Sequence, residues 1–318
     1  MLEVSDTPVV DPPDLLAFGA VAVDDILFLD RFPDENTKSP VLKRERHAGG
    51  LAGTALVTAA RLGSRAGYCG VFGEGSLSRF ILEAFRRENV DTTFCQVKQG
   101  AGPIHSTILV NQTRDSRTIL YSPEQFTIPD ISEIPDSVWH NVRLVFLDSF
   151  ISAIFPDIVQ AARRSKIPLI ADIESLDGFA SLEVIEKINH LIVNIRIGKA
   201  ISARSAPDEI LRALETKHRQ CTVITDGENG CWFKERGKAI YHMPAFEVPV
   251  VDTTGCGDVF HGAYTAALLN NKPIRKAVVE ASAAAALKAG KPGGQAGIPV
   301  QEELMAFLNE TPLRPSPF

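Results

Sequence analysis

The sequence predicts an α/β fold, a mainly parallel sheet sandwiched by helices with a small antiparallel β unit attached. Three observations predict it. Short unbroken apolar runs recur along the chain, amphipathic helical stretches separate them, and two hairpin-like pairs interrupt that rhythm. Residues 15–22 form the first strand-like run, and 50–62 are small-residue-rich and helical. Residues 68–72 read as a strand and 77–88 as a helix. The runs 144–148, 168–173, 191–195 and 221–225 follow, separated by helical patterns such as 157–165 and 208–217. From Gly257 onward the chain is nearly all helical. Continuous apolar strands between amphipathic helices are the pattern of a parallel sheet covered on both faces. The breaks in the pattern are 26–30 with 41–46, flanking the polar turn PDENTK, and 105–111 with 117–121, flanking NQTRDS. Their side chains alternate as in hairpins. Two inserts, at about 26–46 and 103–121, therefore form a lid or a face for a partner, because strands held off the main sheet leave edges to be covered.

Composition narrows the function. The chain has 318 residues, 33 basic against 39 acidic, and a formal net charge of −6. With 45% hydrophobic and 23% charged residues it has the balance of an ordinary globular protein. The mild acidity argues against a nucleic-acid partner. No apolar run approaches the roughly 18 residues of a membrane span. Residues 1–14 are acidic and proline-rich, lack a secretory signal and read as a disordered arm, with 15–318 as one domain. The five cysteines (69, 95, 221, 231 and 256) form no C-x-x-C pair, which leaves neither a zinc motif nor a disulfide framework and fits a reduced, cytoplasmic setting.

The strongest chemical signal is Val251-Asp252-Thr253-Thr254-Gly255-Cys256-Gly257-Asp258, running directly into a helical stretch. Small residues entering a helix leave N–H groups unshielded, and with the helix dipole they make an anion site, above all for phosphate. Asp258 then places a carboxylate beside that anion. An Asp in the first turn is common in any helix; next to a phosphate cradle it suits a general base for a hydroxyl attacking phosphorus. No G-x-x-x-x-G-K-S/T loop is present, which excludes a P-loop kinase, and 70–75 fail the G-x-G-x-x-G spacing of a dinucleotide fold. His47 and His261 flank these signatures without companion ligands and read as structural.

These residues resemble the signatures of the ribokinase/PfkB carbohydrate kinases. VDTTGCGDVFHGA is similar to that family's D-T-x-G-A-G-D motif. His47 to Ala55, followed by Ala59-Ala60-Arg61-Leu62-Gly63, resembles the di-glycine signature. Gly19 to Asp24 resembles the first strand, ending in a sugar-binding aspartate, and Thr225-Asp226-Gly227-Glu228-Asn229-Gly230 resembles the nucleotide loop. The likeness covers about residues 15–308. It implies a ribokinase-like fold with a β-lid, ATP with Mg²⁺ as phosphoryl donor, and a homodimer through the lid. It also implies roles: Asp258 as base, and the amides of Gly255, Cys256 and Gly257 as anion hole. Asn194, Thr225, Gly227, Gly230 and Gly257 belong to the nucleotide site; Asp24, Gly49, Gly50 and Thr54 to the sugar site. Asp252 and Thr254 match positions that hold a monovalent cation, K⁺.

The chain departs from the family in places. Cys256 replaces the usual alanine and puts a thiol where a helix N-terminus lowers its pKa. Of the N-x-x-E motif only Asn194 remains, Ile197 standing for the glutamate. Leu51 and Thr54 replace residues that are often Asn or Lys, and Asn, in ribokinases and ketohexokinases, so ribose or plain fructose loses amide hydrogen bonds there. Residues 244–262, 285–288 and 292–299 are most similar to the sulfofructose kinase and ketohexokinase-like branch. Lys38, in the lid turn, stands where a sulfonate-binding lysine fits, and Arg117 is placed to reach across the cleft. The expectation is an ATP-dependent kinase of a small ketose or sugar derivative: 6-deoxy-6-sulfofructose, fructose or ribose. A nucleoside kinase of the same fold and a non-catalytic sugar or nucleotide sensor are the alternatives.

Overall fold

The structure, a computed structural model, describes residues 13–114 and 116–311. Most of the predicted N-terminal arm (1–12) and Asp115 of the lid turn lie outside the described residues. The arm's last two residues are not loose. Pro13 is buried, and the Asp14 carboxylate takes the Arg65 guanidinium at 2.9 and 3.0 Å.

The elements run β1 (Leu15–Phe18), β2 (Ala22–Leu29), β3 (Lys43–Gly49), α1 (Leu51–Arg61), β4 (Ala66–Tyr68), β5 (Val71–Phe72), α2 (Ser76–Arg87), β6 (Gln96–Val97), β7 (Ile104–Asn111) and β8 (Ser116–Ser122). They continue with α3 (Asp136–Asn141), β9 (Leu144–Asp148), α4 (Phe155–Arg164), β10 (Leu169–Asp172), β11 (His190–Asn194), α5 (Ile195–Ser202), α6 (Pro207–Ala213) and β12 (Cys221–Thr225). The last part holds β13 (Cys231–Glu235), β14 (Ile240–Met243), α7 (Cys256–Leu269), α8 (Ile274–Ala289) and α9 (Gln301–Glu310).

The main sheet has the order β14-β13-β12-β11-β10-β9-β1-β4. Its strands are parallel from β4 to β12, and β13 and β14 close one edge as antiparallel strands. Successive residues point to opposite faces. Leu15, Ala17, Leu144 and Phe146 pack with α1, α7 and α8, while Leu16, Phe18, Val145 and Leu147 pack with α3, α4, α5 and α6. Both faces are thus buried, which is why these strands read as unbroken apolar runs.

A second sheet, ordered β3-β2-β7-β8, is the lid. Both expected antiparallel pairs, β2–β3 and β7–β8, are present, and parallel pairing of β2 with β7 joins them. Two expected strands divide. The run 15–22 breaks at Gly19, where a side chain would collide with Asp148, so β1 enters the main sheet and β2 the lid. Asp24 therefore sits in the lid and not at the end of the first strand. The run 68–72 splits likewise into β4 and β5, the latter paired with β6. Helix α6 stops at Ala213, short of the expected residue 217. There Thr216 turns the chain by accepting the His218 and Arg219 amides, and the buried Arg219 guanidinium donates to the Ile185 and Ile188 carbonyls.

Candidate active site

In an open α/β sheet the carboxyl ends of the parallel strands and the helix N-termini above them form the natural crevice. Here those ends carry Asp148 (β9), Asp172 (β10), Asn194 (β11) and Thr225 (β12). Asp148 is fully buried. Its Oδ2 accepts the Ala20 and Ala52 amides at 2.6 and 3.1 Å and its Oδ1 accepts the Phe150 amide at 2.9 Å, tying the lid's root to the first turn of α1. Burial raises its pKa to about 7, against those three donors. Asp172 is also buried, and its Oδ2 accepts no hydrogen bond; burial and the Glu174, Asp258 and Asp148 carboxylates hold it well above the usual range.

Asp258 lies in the first turn of α7 and is half-buried. Burial, then Glu174, Asp148 and Asp24, push its pKa well up. Carboxylates from β2, β9 and the loop after β10 thus act on that of Asp258. The helix itself is entered through Gly255, its N-cap, at φ 76°, where no side chain caps the amides. A Cβ at Gly255 would stand 2.9 Å from the Gly294 carbonyl oxygen, so glycine is required on both counts. The second and third residues, Gly257 and Asp258, have amides with no carbonyl to reach within the helix. Beside Gly257 the space is open. The Cys256 amide, one of the three expected in an anion hole, donates instead to the Thr253 carbonyl at 3.2 Å. Nor is the Cys256 thiol activated, since burial pushes it up to about 11. His261, one turn on, is buried with Nδ1 against the Gly257 carbonyl (2.8 Å) and Nε2 against that of Ile192 (3.1 Å), fixing α7 to β11.

A cleft of about 620 Å³ opens beside this helix start. Thr225, Gly227, Gly230, Cys256 and Gly257 line its polar side; Phe246, Val248, Val250, Ala285, Ala286 and Ala289 line its apolar side. Gly230, at φ 82°, has no room for a side chain against the 243–245 backbone. Asn194 is not part of this lining. Its Oδ1 accepts the Ile197 amide at 2.9 Å and caps α5, while Ile197 is buried in the core.

On the other side of Asp258, Asp24 sits beside Gly49, where a side chain would strike its carboxylate. Gly50 has φ 87°, and a Cβ there would lie 2.6 Å from the Ala20 carbonyl oxygen. These two glycines let α1 begin against the lid's root. Burial raises the pKa of Asp24, opposed by a hydrogen bond from Ser106. Three other candidates have different surroundings. Thr54 is 1% exposed and its Oγ1 accepts from Gln295, so it faces inward and not an open wall. Lys38 is exposed. Arg117, on β8, does reach across, but to Asp252 Oδ1 at 3.2 Å.

Asp252 and Thr254 are engaged with each other. Asp252 Oδ1 accepts the Thr254 amide and hydroxyl at 2.8 and 2.6 Å, and Oδ2 accepts the Gly293 amide at 2.8 Å. Despite burial these bonds hold Asp252 below its ordinary pKa. The sequence reading missed Asp148, Asp172 and Glu174. The first two end apolar strands (LVFLD, LIAD), a signal that only the strand directions turn into a site.

Residues 13–301 match the pfkB family of carbohydrate kinases. The chain belongs to that family. It is a phosphotransferase with an alcohol acceptor, a carbohydrate kinase. The PfkB kinase is 23% identical over 305 residues to the ribokinase of Haemophilus influenzae, covering 92% of this chain and 98% of that one. Two solved structures share its fold. The ribokinase of Thermotoga maritima has a TM-score of 0.83 at 22% identity, with 94% of this chain and 100% of that one covered. Arabidopsis thaliana ribokinase, complexed with ribose and ATP, has a TM-score of 0.81 at 20% identity, with 93% and 99% covered. No helix among the described residues is long and apolar enough to cross a membrane.

Proposed function

We propose that this PfkB kinase transfers the γ-phosphoryl group of ATP, taken up as its magnesium complex, to a hydroxyl of a small sugar, with Asp258 as the base. One observation carries the reading: Asp258 directly follows Gly257, which lines the nucleotide-sized cleft, and its carboxylate feels that of Asp24 in the lid. The apolar wall of Ala285, Ala286, Ala289, Val248 and Val250 suits a purine, and the glycines at 227 and 230 suit a ribose and phosphates passing close to backbone. The amides of Gly255 and Gly257 take the charge that grows on the transferred group. Asp24 accepts from sugar hydroxyls, with Gly49 and Gly50 admitting the ring. As the acceptor oxygen bonds to phosphorus and the bond to ADP breaks, its proton passes to the Asp258 carboxylate. ATP incubated with ribose, fructose, 6-deoxy-6-sulfofructose and a nucleoside panel tests this. ADP release with a phosphate ester of one sugar is expected. Turnover confined to nucleosides replaces the acceptor, and release of ADP with none of them removes the kinase reading.

Because the base works ionised and its pKa is raised, activity is lost on acidification earlier than for an ordinary carboxylate near pH 4. The kcat/KM for the sugar is expected to climb as pH rises out of the acid range. A profile flat down to about pH 5 contradicts the crowded-base assignment.

We also infer a homodimer through the lid in a cytoplasmic enzyme. Strand β8 is exposed along its length, with Ile119, Leu120 and Tyr121 at 48%, 55% and 60% exposure, and it ends the lid sheet as an unpaired edge. Such an edge pairs or is covered. Light scattering should give twice the chain mass, falling to one chain in Leu120→Lys; a wild-type monomer at micromolar concentration contradicts it.

A further inference from the structure

The loop that feeds Asp258 into the cleft rests on a buried positive charge. Lys288, near the end of α8, is 0% exposed. Its Nζ donates to the main-chain carbonyls of Asp252 at 2.7 Å and Lys291 at 3.2 Å. The Asp252 and Val251 amides in turn donate to the Ala289 carbonyl, so the end of α8 and the 251–254 turn are laced together around that ammonium. The Asp252 carboxylate is already filled by Thr254, Gly293 and Arg117. A monovalent metal ion at Asp252 and Thr254 needs several oxygen ligands around one free space. The Asp252 and Lys291 carbonyl oxygens beside that pair bind an ammonium instead, and K⁺ and an ammonium group ask for the same ligands. The residues present therefore do not fit K⁺.

We propose that the Lys288 ammonium is a built-in monovalent cation, which sets the 252–257 turn and makes the enzyme independent of added K⁺. Lys288 does not line the cleft; it is a positioning residue acting through the Asp252 carbonyl. A buried charge bonded to two carbonyl oxygens is costly to leave unpaired and holds its partners firmly. Losing it frees an oxygen-lined pocket that a metal ion can take.

The activity arm of the test rests on the sugar-kinase reading; the melting arm does not. Wild type, Lys288→Ala and Lys288→Met, the last keeping the apolar stem, are compared in KCl, NaCl, NH₄Cl and tetramethylammonium chloride at equal ionic strength. Wild type is expected to melt at the same temperature in KCl and tetramethylammonium chloride, and to turn over at the same rate. Lys288→Ala is expected to be several-fold slower in tetramethylammonium chloride, to recover with K⁺ or NH₄⁺, and to gain a melting shift with those ions that wild type lacks. Lys288→Met, with the space still filled, should be slow and should not recover. A K⁺-selective gain in wild type, in melting or in rate, overturns the proposal. So does a folded Lys288→Ala that is as fast as wild type without K⁺. If neither variant folds, the wild-type comparison alone decides, and absence of turnover leaves the melting comparison in force.

Discussion

Asp258→Asn is expected to lower kcat by about 10²–10⁴-fold, the range in which a positioned base contributes. The KM for ATP should hardly move, because the apolar wall of the cleft and the Gly255 and Gly257 amides remain. Stability should hold or rise. The carboxylate of Asp258 is crowded by burial and by Glu174, Asp148 and Asp24, and a neutral isostere removes that repulsion without changing shape. Steady-state kinetics with a thermal melt distinguishes this from a folding defect. Near-wild-type turnover in a folded Asp258→Asn protein removes the base from the account.

Asp24→Asn is expected to act on the sugar alone. A carboxylate accepting hydroxyl hydrogen bonds gains about 1.5–3 kcal/mol for each. Reversing one acceptor into a donor forfeits that bond and opposes the hydroxyl, so kcat/KM for the sugar should fall roughly 10²-fold. The replacement keeps the close fit against Gly49, so the lid should stay folded and the KM for ATP unchanged. Equal losses for sugar and ATP contradict the assignment of Asp24 to the sugar side.

Much of the fold was legible because the physics was local. Buried parallel strands need apolar residues on both faces, so 144–148 and 221–225 stood out with their boundaries intact. The entry into α7 was legible because glycines there answer a backbone demand, the positive φ and the Gly294 approach at Gly255. What was lost depended on partners far along the chain. Nothing in residues 15–22 says that Asp148 closes the space at Gly19 and splits the run between two sheets. The place of Thr54 in a motif does not say that Gln295, 241 positions away, donates to its hydroxyl oxygen. Lys288 reads as an ordinary helix-end lysine until the Asp252 and Lys291 carbonyls are seen converging on it. The carboxylate cluster was likewise invisible, since its members come from four separate segments.

The central claim is that one acid at the start of α7 meets both the sugar hydroxyl and the phosphoryl group in flight. A crystal structure with ADP, magnesium, a planar metal fluoride and the acceptor found in the screen tests it most directly. The account requires one acceptor oxygen within about 3 Å of an Asp258 oxygen, the distance of a working hydrogen bond. It also requires the fluoride group against the Gly257 amide, on the line from that oxygen to ADP. A sugar seated away from Asp258, or a fluoride group held elsewhere than at the start of α7, contradicts it.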